Sequence, residues 1–490
     1  MIVRIQMEES KRPNVIFIMA DQLRWDALGA HTPTINQLIS ESVLFNDAYC
    51  ASPLCVPARG AFFTGCYPNR TGCLINPWEP LDRTHGYVHA GTPNLYSWFE
   101  KTWDSHHVGK QHFRTADNID TSPETRTHWD TLTGGYQTHL RNKGVRAPGG
   151  GRFKGIIPEM AAGRFTRART YSIPAVGEYE PGFEHFYDGY IAGTALSALR
   201  RRDPDKPLLL NAMFLAPHPP YDIPEPWFSM IKDVDLPKSV GTWYPDQSPL
   251  QLYNLTGAIG VRYSREDWMA VWRVYLGLVA LLDHSIKLII DELKRQDIYD
   301  DSLIVFCSDH GEMLGSHMLY QKMCMYQPSV HTPIGFKLPA SSAYQPGTVN
   351  GLVSAVDVFP TICELTGMNI PSGIDGRSLV PMMSGDSAGR DAVFIQFDGN
   401  GARGNFQRAI IRENHKLIVD MFKDEVFLEL YDLVSDPEET ANLAFDPEHR
   451  ARLTTMLNML STHMTETGDL LSVSDDTVDR FIQDYSQFRR

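Results

Sequence analysis

The sequence predicts an α/β fold: a mostly parallel sheet with helices on both faces, followed by a smaller antiparallel sheet with one helix. Three observations carry this. Continuous apolar runs at 15–20, 208–215 and 303–307 read as strands buried on both faces. Helical spacing recurs around them, at 34–42, 93–101, 190–200, 268–294 and 356–366, and strands alternating with helices imply parallel pairing. After about Gly389 the texture changes to short alternating runs at 393–397, 408–411, 416–419 and 427–431, then a helical stretch over 447–464. The division is a large domain over 1–389 and a C-terminal α+β subdomain over 390–490.

In chain order, Val15–Ala20 ends abruptly in Asp21-Gln22, and Val43–Phe45 suits a short strand. Leu54-Cys55-Val56-Pro57-Ala58-Arg59 leads into a helix, with Pro57 in its first turn and Ala58–Thr64 as its body. Cys55 then lies at a helix N-terminus, where backbone N–H groups favour an anion. Residues 106–112 lead into Gly109-Lys110-Gln111-His112. Residues 113–170 show little periodicity and read as an insertion or lid. Within it, Arg141, Lys143, Arg146, Arg152, Lys154, Arg164, Arg167 and Arg169 face a single acid, Glu159, so this stretch either helps admit an anionic substrate or is a solvated loop. The second buried run ends in Pro217-His218-Pro219-Pro220 and the third in Ser308-Asp309-His310-Gly311-Glu312.

The 490 residues include 42% hydrophobic and 21% charged residues, ordinary for a globular enzyme. A net charge of −14 argues against a nucleic-acid or anionic-membrane partner. The first apolar run is too short for a secretory core or a membrane span, and an odd set of seven cysteines reads as free thiols, so a cytoplasmic location is expected. The tail over 470–490, with Phe481, Tyr485 and Phe488 among charges, is a candidate for contact with a neighbouring subunit of a homo-oligomer.

In open α/β sheets, ligands bind at the carboxyl ends of strands. Taken singly, Asp21 or Asp309 could cap a helix, His218 could be a turn histidine, and Lys110 and Lys322 could be solvated. Together, Asp21, Gln22 and Asp309 make a hard, oxygen-rich metal cage, with His310 adding a nitrogen or a hydrogen bond. Arg59 either holds the geometry of Cys55 or pairs with substrate oxygens.

With Cys55-Val56-Pro57-Ala58-Arg59, the strand-end clusters, Lys322 and the later phrases Leu430-Tyr431-Asp432-Leu433 and Asp436-Pro437-Glu438-Glu439, the chain resembles the formylglycine-dependent sulfatases of the alkaline phosphatase superfamily, from Asn14 to about Asn442. The resemblance implies an alkaline-phosphatase-like fold. It implies that a maturing enzyme oxidises Cys55 to formylglycine, whose hydrate attacks sulfur at one divalent metal, Ca²⁺ first, with Mn²⁺ or Mg²⁺ open. Asp21, Gln22, Asp309 and His310 would hold that metal together with position 55. Arg59, Lys110, His218 and Lys322 would gather the sulfate oxygens, His218 or Lys322 would protonate the leaving alcohol, and His112 would serve as base. The substrate would be a small-molecule or saccharide sulfate ester. Many sulfatases carry two aspartates where Asp21-Gln22 stands. The Asp-Gln form and Asn76, a substrate-contact position, resemble choline-sulfatase-like enzymes and phosphonate monoester hydrolases. The alternatives are therefore a phosphonate monoester or phosphodiester hydrolase using the same site, and a binding protein with unmodified Cys55.

Overall fold

The computed structural model describes residues 12–77, 84–161, 165–474 and 476–485. The sheet that organises the large domain has eight strands, in the spatial order Gly347–Ser354, Val43–Tyr49, Ile334–Lys337, Ser302–Ser308, Asn14–Asp21, Leu208–Pro217, Asp104–Gly109 and His128–Thr131. Every neighbouring pair runs parallel except the two made by Ile334–Lys337. The three apolar runs form its centre. Val15 to Ala20 are fully buried because helices cover both faces. On one face lies the long helix Arg265–Arg295, closed at its start by a Ser264–Asp267 capping box. On the other lie Cys55–Thr64 and Val358–Leu365. Among the described residues, no helix is long and apolar enough to cross a membrane.

The region read as an aperiodic insertion is partly ordered into the sheet. His128–Thr131 forms its edge strand, and Lys154–Ala161 pairs with Phe165–Ser172 as an antiparallel hairpin. Two of its basic residues are already engaged. Arg146 pairs with Asp222 at 2.5 Å and Glu180 at 2.6 Å, and Arg167 pairs with Glu159. Arg164 lies outside the described residues.

The C-terminal subdomain is a four-stranded antiparallel sheet in sequential order, Val393–Phe397, Phe406–Arg412, His415–Phe422 and Glu425–Asp432. Helix Arg450–Thr467 packs on it through Leu453, Met456, Leu457 and Leu460. A second helix, Thr477–Tyr485, was not expected. Its Phe481 is buried against Phe427 and Phe445, so the described tail aromatics serve the chain's own core; Phe488 lies outside the described residues.

Two groups of buried polar contacts lock the subdomain to the large domain. Lys416 Nζ lies 2.6 Å from Glu439 Oε1 and donates to the Met325 carbonyl, while Glu439 Oε2 accepts from the Gln327 amide. Glu429 accepts from Tyr326 at 2.7 Å and Tyr431 at 2.9 Å, and Ser248 donates to Asp420 at 2.7 Å. Burial pushes the Glu429 carboxyl up to about 8 and that of Asp420 to about 7. Lys416→Met strands a buried carboxylate and is expected to cost about 3–5 kcal/mol in denaturant unfolding. Glu429 and Asp420 take up protons on folding. Their contribution is complete below their unfolded values, and it is lost as pH rises toward about 7–8. Wild type should therefore lose on the order of a few kcal/mol between pH 6 and pH 9, and Glu429→Gln should flatten that slope in urea titrations.

Candidate active site

The carboxyl edge of the sheet brings the strand-end residues together. Asp21 closes the first strand opposite Pro217, and Ala20 pairs with Ser308, which places Asp309 beside it. The neighbouring strand bulges between Met213 and Pro217, where buried Asp188 accepts from the Leu215 and Ala216 amides at 3.0 Å each. Gly109 explains the Gly-Lys spacing. Its φ is +103°, and an added Cβ would lie 2.2 Å from the Met213 carbonyl, so only glycine delivers Lys110 to this edge.

Helix Cys55–Thr64 points its first turn at the same place and is buried along its whole length. Cys55 and Arg59 are i and i+4, one above the other on one face. Arg59 is fully buried, and its Nη2 and Nε each lie 3.0 Å from a carboxylate, Asp21 and Asp309 respectively. Its Nη1 donates to the Lys110 carbonyl at 3.2 Å. Cys55 Sγ lies 3.2 Å from His310 Nε2, 3.7 Å from Lys110 Nζ and 3.9 Å from Asp21 Oδ1. Lys110 also pairs with Asp21.

Asp21, Cys55, Asp309 and His310 each bring one ligand atom, all within 4.8 Å of one another and all buried. Gln22 stands at φ +72°, its amide donating to Asp309 Oδ1 at 3.1 Å. Its side-chain oxygen accepts from Lys322 Nζ at 2.6 Å, and its side-chain nitrogen donates to Glu312. Two carboxylates and an imidazole converging beside the Cys55 sulfur suit a divalent cation, and these residues fit that group.

The electrostatics follow from the crowding. Burial alone would raise Asp21, but Lys110, His218, Arg59 and His310 outweigh it and hold the carboxyl well below the usual range. Burial and Asp21 oppose ionisation of the Cys55 thiol, yet Lys110, Lys322 and His310 prevail and lower it. Burial, with Lys322 and Lys110, drives His218 well below an ordinary imidazole. Burial, with Lys110 and Arg59, does the same to His112, whose Nδ1 is buried without a hydrogen-bond partner.

The candidate site residues lie in this neighbourhood or are bound to it. Arg59 spends its guanidinium on the two aspartates. Asn76 accepts from the Val56 amide at 3.2 Å and donates to Asn400 Oδ1 at 3.3 Å, which ties the first turn of the helix to the C-terminal subdomain. Sequence reasoning assigned no role to Glu312, although it stands in the Asp309-His310-Gly311-Glu312 cluster. It is fully buried, pushed up to about 7 by that burial, and besides Gln22 it receives the Leu314 amide at 3.1 Å and the Gln321 amide at 2.5 Å. Arg24, whose Nη1 donates to the Glu312 carbonyl at 2.9 Å, carried no signal.

Metal-assisted hydrolases place such donor sets at the strand ends of an open sheet. Comparison with known proteins narrows the class. The sulfatase family model matches residues 13–368, and the model for the C-terminal part of N-sulphoglucosamine sulphohydrolase matches 315–466. The chain belongs to the sulfatase family, enzymes that hydrolyse sulfate esters. It is 28% identical to the choline-sulfatase of Rhizobium meliloti over 92% of this chain and 87% of that protein. It is 24% identical to an arylsulfatase of Clostridium perfringens over 90% of this chain and 92% of that one. The solved phosphonate monoester hydrolase of Agrobacterium radiobacter superposes with a TM-score of 0.74 at 25% identity, covering 93% of this chain and 96% of that one.

Glu312→Gln keeps the size of the side chain but upsets the donors that orient Gln22. It is expected to weaken retention of a divalent cation by about 10–100-fold, measured by Ca²⁺ and Mn²⁺ titration after chelator treatment.

Proposed function

We propose that this enzyme hydrolyses the sulfate monoester of a small or carbohydrate-like alcohol, with position 55, oxidised from cysteine to formylglycine, as its nucleophile. The observation that carries this is the setting of Cys55: a buried helix start with His310, Lys110 and Asp21 all within 3.9 Å of its sulfur. A divalent cation held by Asp21, Gln22, Asp309 and His310, calcium first and manganese or magnesium as alternatives, would supply charge neutralisation and make a hydroxyl at position 55 more acidic.

The hydrate of a formylglycine carries two hydroxyls. One oxygen displaces the alcohol from sulfur; the second then loses its proton, restores the aldehyde and expels sulfate. An unmodified Cys or Ser has no such exit. Lys110 and Lys322 stabilise charge that builds on the sulfate oxygens. His112, held neutral by burial and by Lys110, is suited to take the proton from the second hydroxyl. His218 presents Nδ1 to the Pro219 carbonyl at 2.6 Å, which leaves Nε2 as an acceptor, so Lys322 is the better placed acid for the leaving alcohol. Cys55 is 2% exposed, so a maturing enzyme must reach it before the fold closes. The seven cysteines, free and buried, support a reducing, cytoplasmic setting.

A second reading, hydrolysis of phosphonate monoesters or phosphodiesters at the same site, is favoured by Gln22 in place of a second aspartate and by the Agrobacterium neighbour. Lys110 and His112 favour sulfate. Protein matured in its native host should show an aldehyde or hydrate mass at the Cys55 peptide and turn over an aryl sulfate faster than an aryl phosphonate monoester. Cys55→Ala should lower sulfate turnover by roughly 10³-fold or more. Sulfate turnover orders of magnitude below phosphonate turnover would transfer the assignment to the second reading. A thiol in every natively made molecule, with no turnover, would make the chain a binding protein.

A further inference from the structure

A second constellation lies at the other end of the strand that delivers Lys110. Asp104, His106 and His128 each present one ligand atom, and the three atoms lie within 4.8 Å of one another. The strands dictate this. Residues 104 and 106 are two apart and share a face of their strand, and parallel pairing sets His128 of the edge strand directly beside His106. The two imidazoles stack with centroids 4.7 Å apart and an interplanar angle of 28°. Lys110 lies four residues beyond His106 and six beyond Asp104, about 13–20 Å away along the strand at roughly 3.3 Å per residue.

His106 is only 6% exposed, and its Nε2 already pairs with Asp104 Oδ2 at 3.1 Å, so a carboxylate oxygen and a ring nitrogen are held together within the buried part of the cluster. The Asp104 carboxylate is braced, because Oδ2 accepts from the Asp203 amide at 2.8 Å. His128 is exposed and opens the cluster to solvent. Two imidazoles and one carboxylate suit the borderline cations, Zn²⁺ above all, where the active centre's oxygen-rich set suits harder ones. Zinc bonds of about 2.0–2.2 Å would draw the three atoms closer, and the exposed His128 ring has room to make that adjustment.

We propose that Asp104, His106 and His128 form a second metal site, separate from the catalytic centre, that binds a zinc-class divalent cation with solvent completing its coordination. Its product is a cross-link between the edge strand His128–Thr131 and its neighbour.

The test is a Zn²⁺ titration of chelator-treated full-length protein, followed by calorimetry and thermal melting, on wild type, His128→Ala and Asp104→Asn. Zinc taken by the catalytic centre is common to all three. Wild type is expected to show a binding event that both variants lose or weaken at least tenfold, and zinc should raise its melting temperature further than theirs. Without zinc, His128→Ala should melt with wild type and keep its sulfate-ester turnover. Superimposable zinc isotherms for wild type and His128→Ala would overturn the proposal.

Discussion

Two carboxylates at the ends of different strands, both fully buried, repel each other unless a cation bridges them, and Arg59 is the side chain that reaches both. Its planar fork reaches Asp21 and Asp309 with separate nitrogens at 3.0 Å each, a division that a lysine's single ammonium could not reproduce. The helix that carries Arg59 begins at Cys55, four residues earlier. One helical turn thus couples charge compensation under the site to the placement of Cys55. The Cys-x-Pro-x-Arg spacing is a statement about helix geometry before it is a statement about chemistry.

Around this clamp the backbone is held in conformations that side chains ordinarily avoid. Gln22, Leu314, His317, Met318, Gln321 and Met323 all have positive φ. Such residues persist where surrounding contacts over-determine them. Here Glu312 is the common tie: it receives the Leu314 and Gln321 amides and the Gln22 side chain at once. The loop that presents Lys322 is consequently fixed to the same residue that orients Gln22, so the cage and the group facing it share one brace.

The central strands were legible because burial on both faces leaves an unbroken apolar run, as in Val15–Ala20. Of the outer strands, Val43–Tyr49 showed only its first residues, and two others gave no strand signal. Asp104–Gly109 contains Ser105, His106 and His107, and Gly347–Ser354 is polar and half-exposed, so neither shows that pattern. The polar strand ends were legible because charge at the end of a buried run is costly without a ligand or a partner. What spacing could not convey is the direction of each side chain. Arg59 and Asn76 belong to the site, yet one faces carboxylates and the other faces backbone and Asn400. The weight of the Asp436–Glu439 phrase was also invisible until Lys416 was seen beneath it.

The pairing of Asn14–Asp21 with Ser302–Ser308 has a consequence in time. A ribosome delivers the first strand early and its partner only after most of the large domain has been made. His310 follows Cys55 by 255 residues, which at bacterial-to-eukaryotic elongation rates is about 13–50 s. During that interval the thiol lacks the imidazole and the strand that will bury it. Long-range parallel pairing, usually a kinetic burden, here leaves Cys55 uncovered during synthesis and buries it when the partner strand arrives.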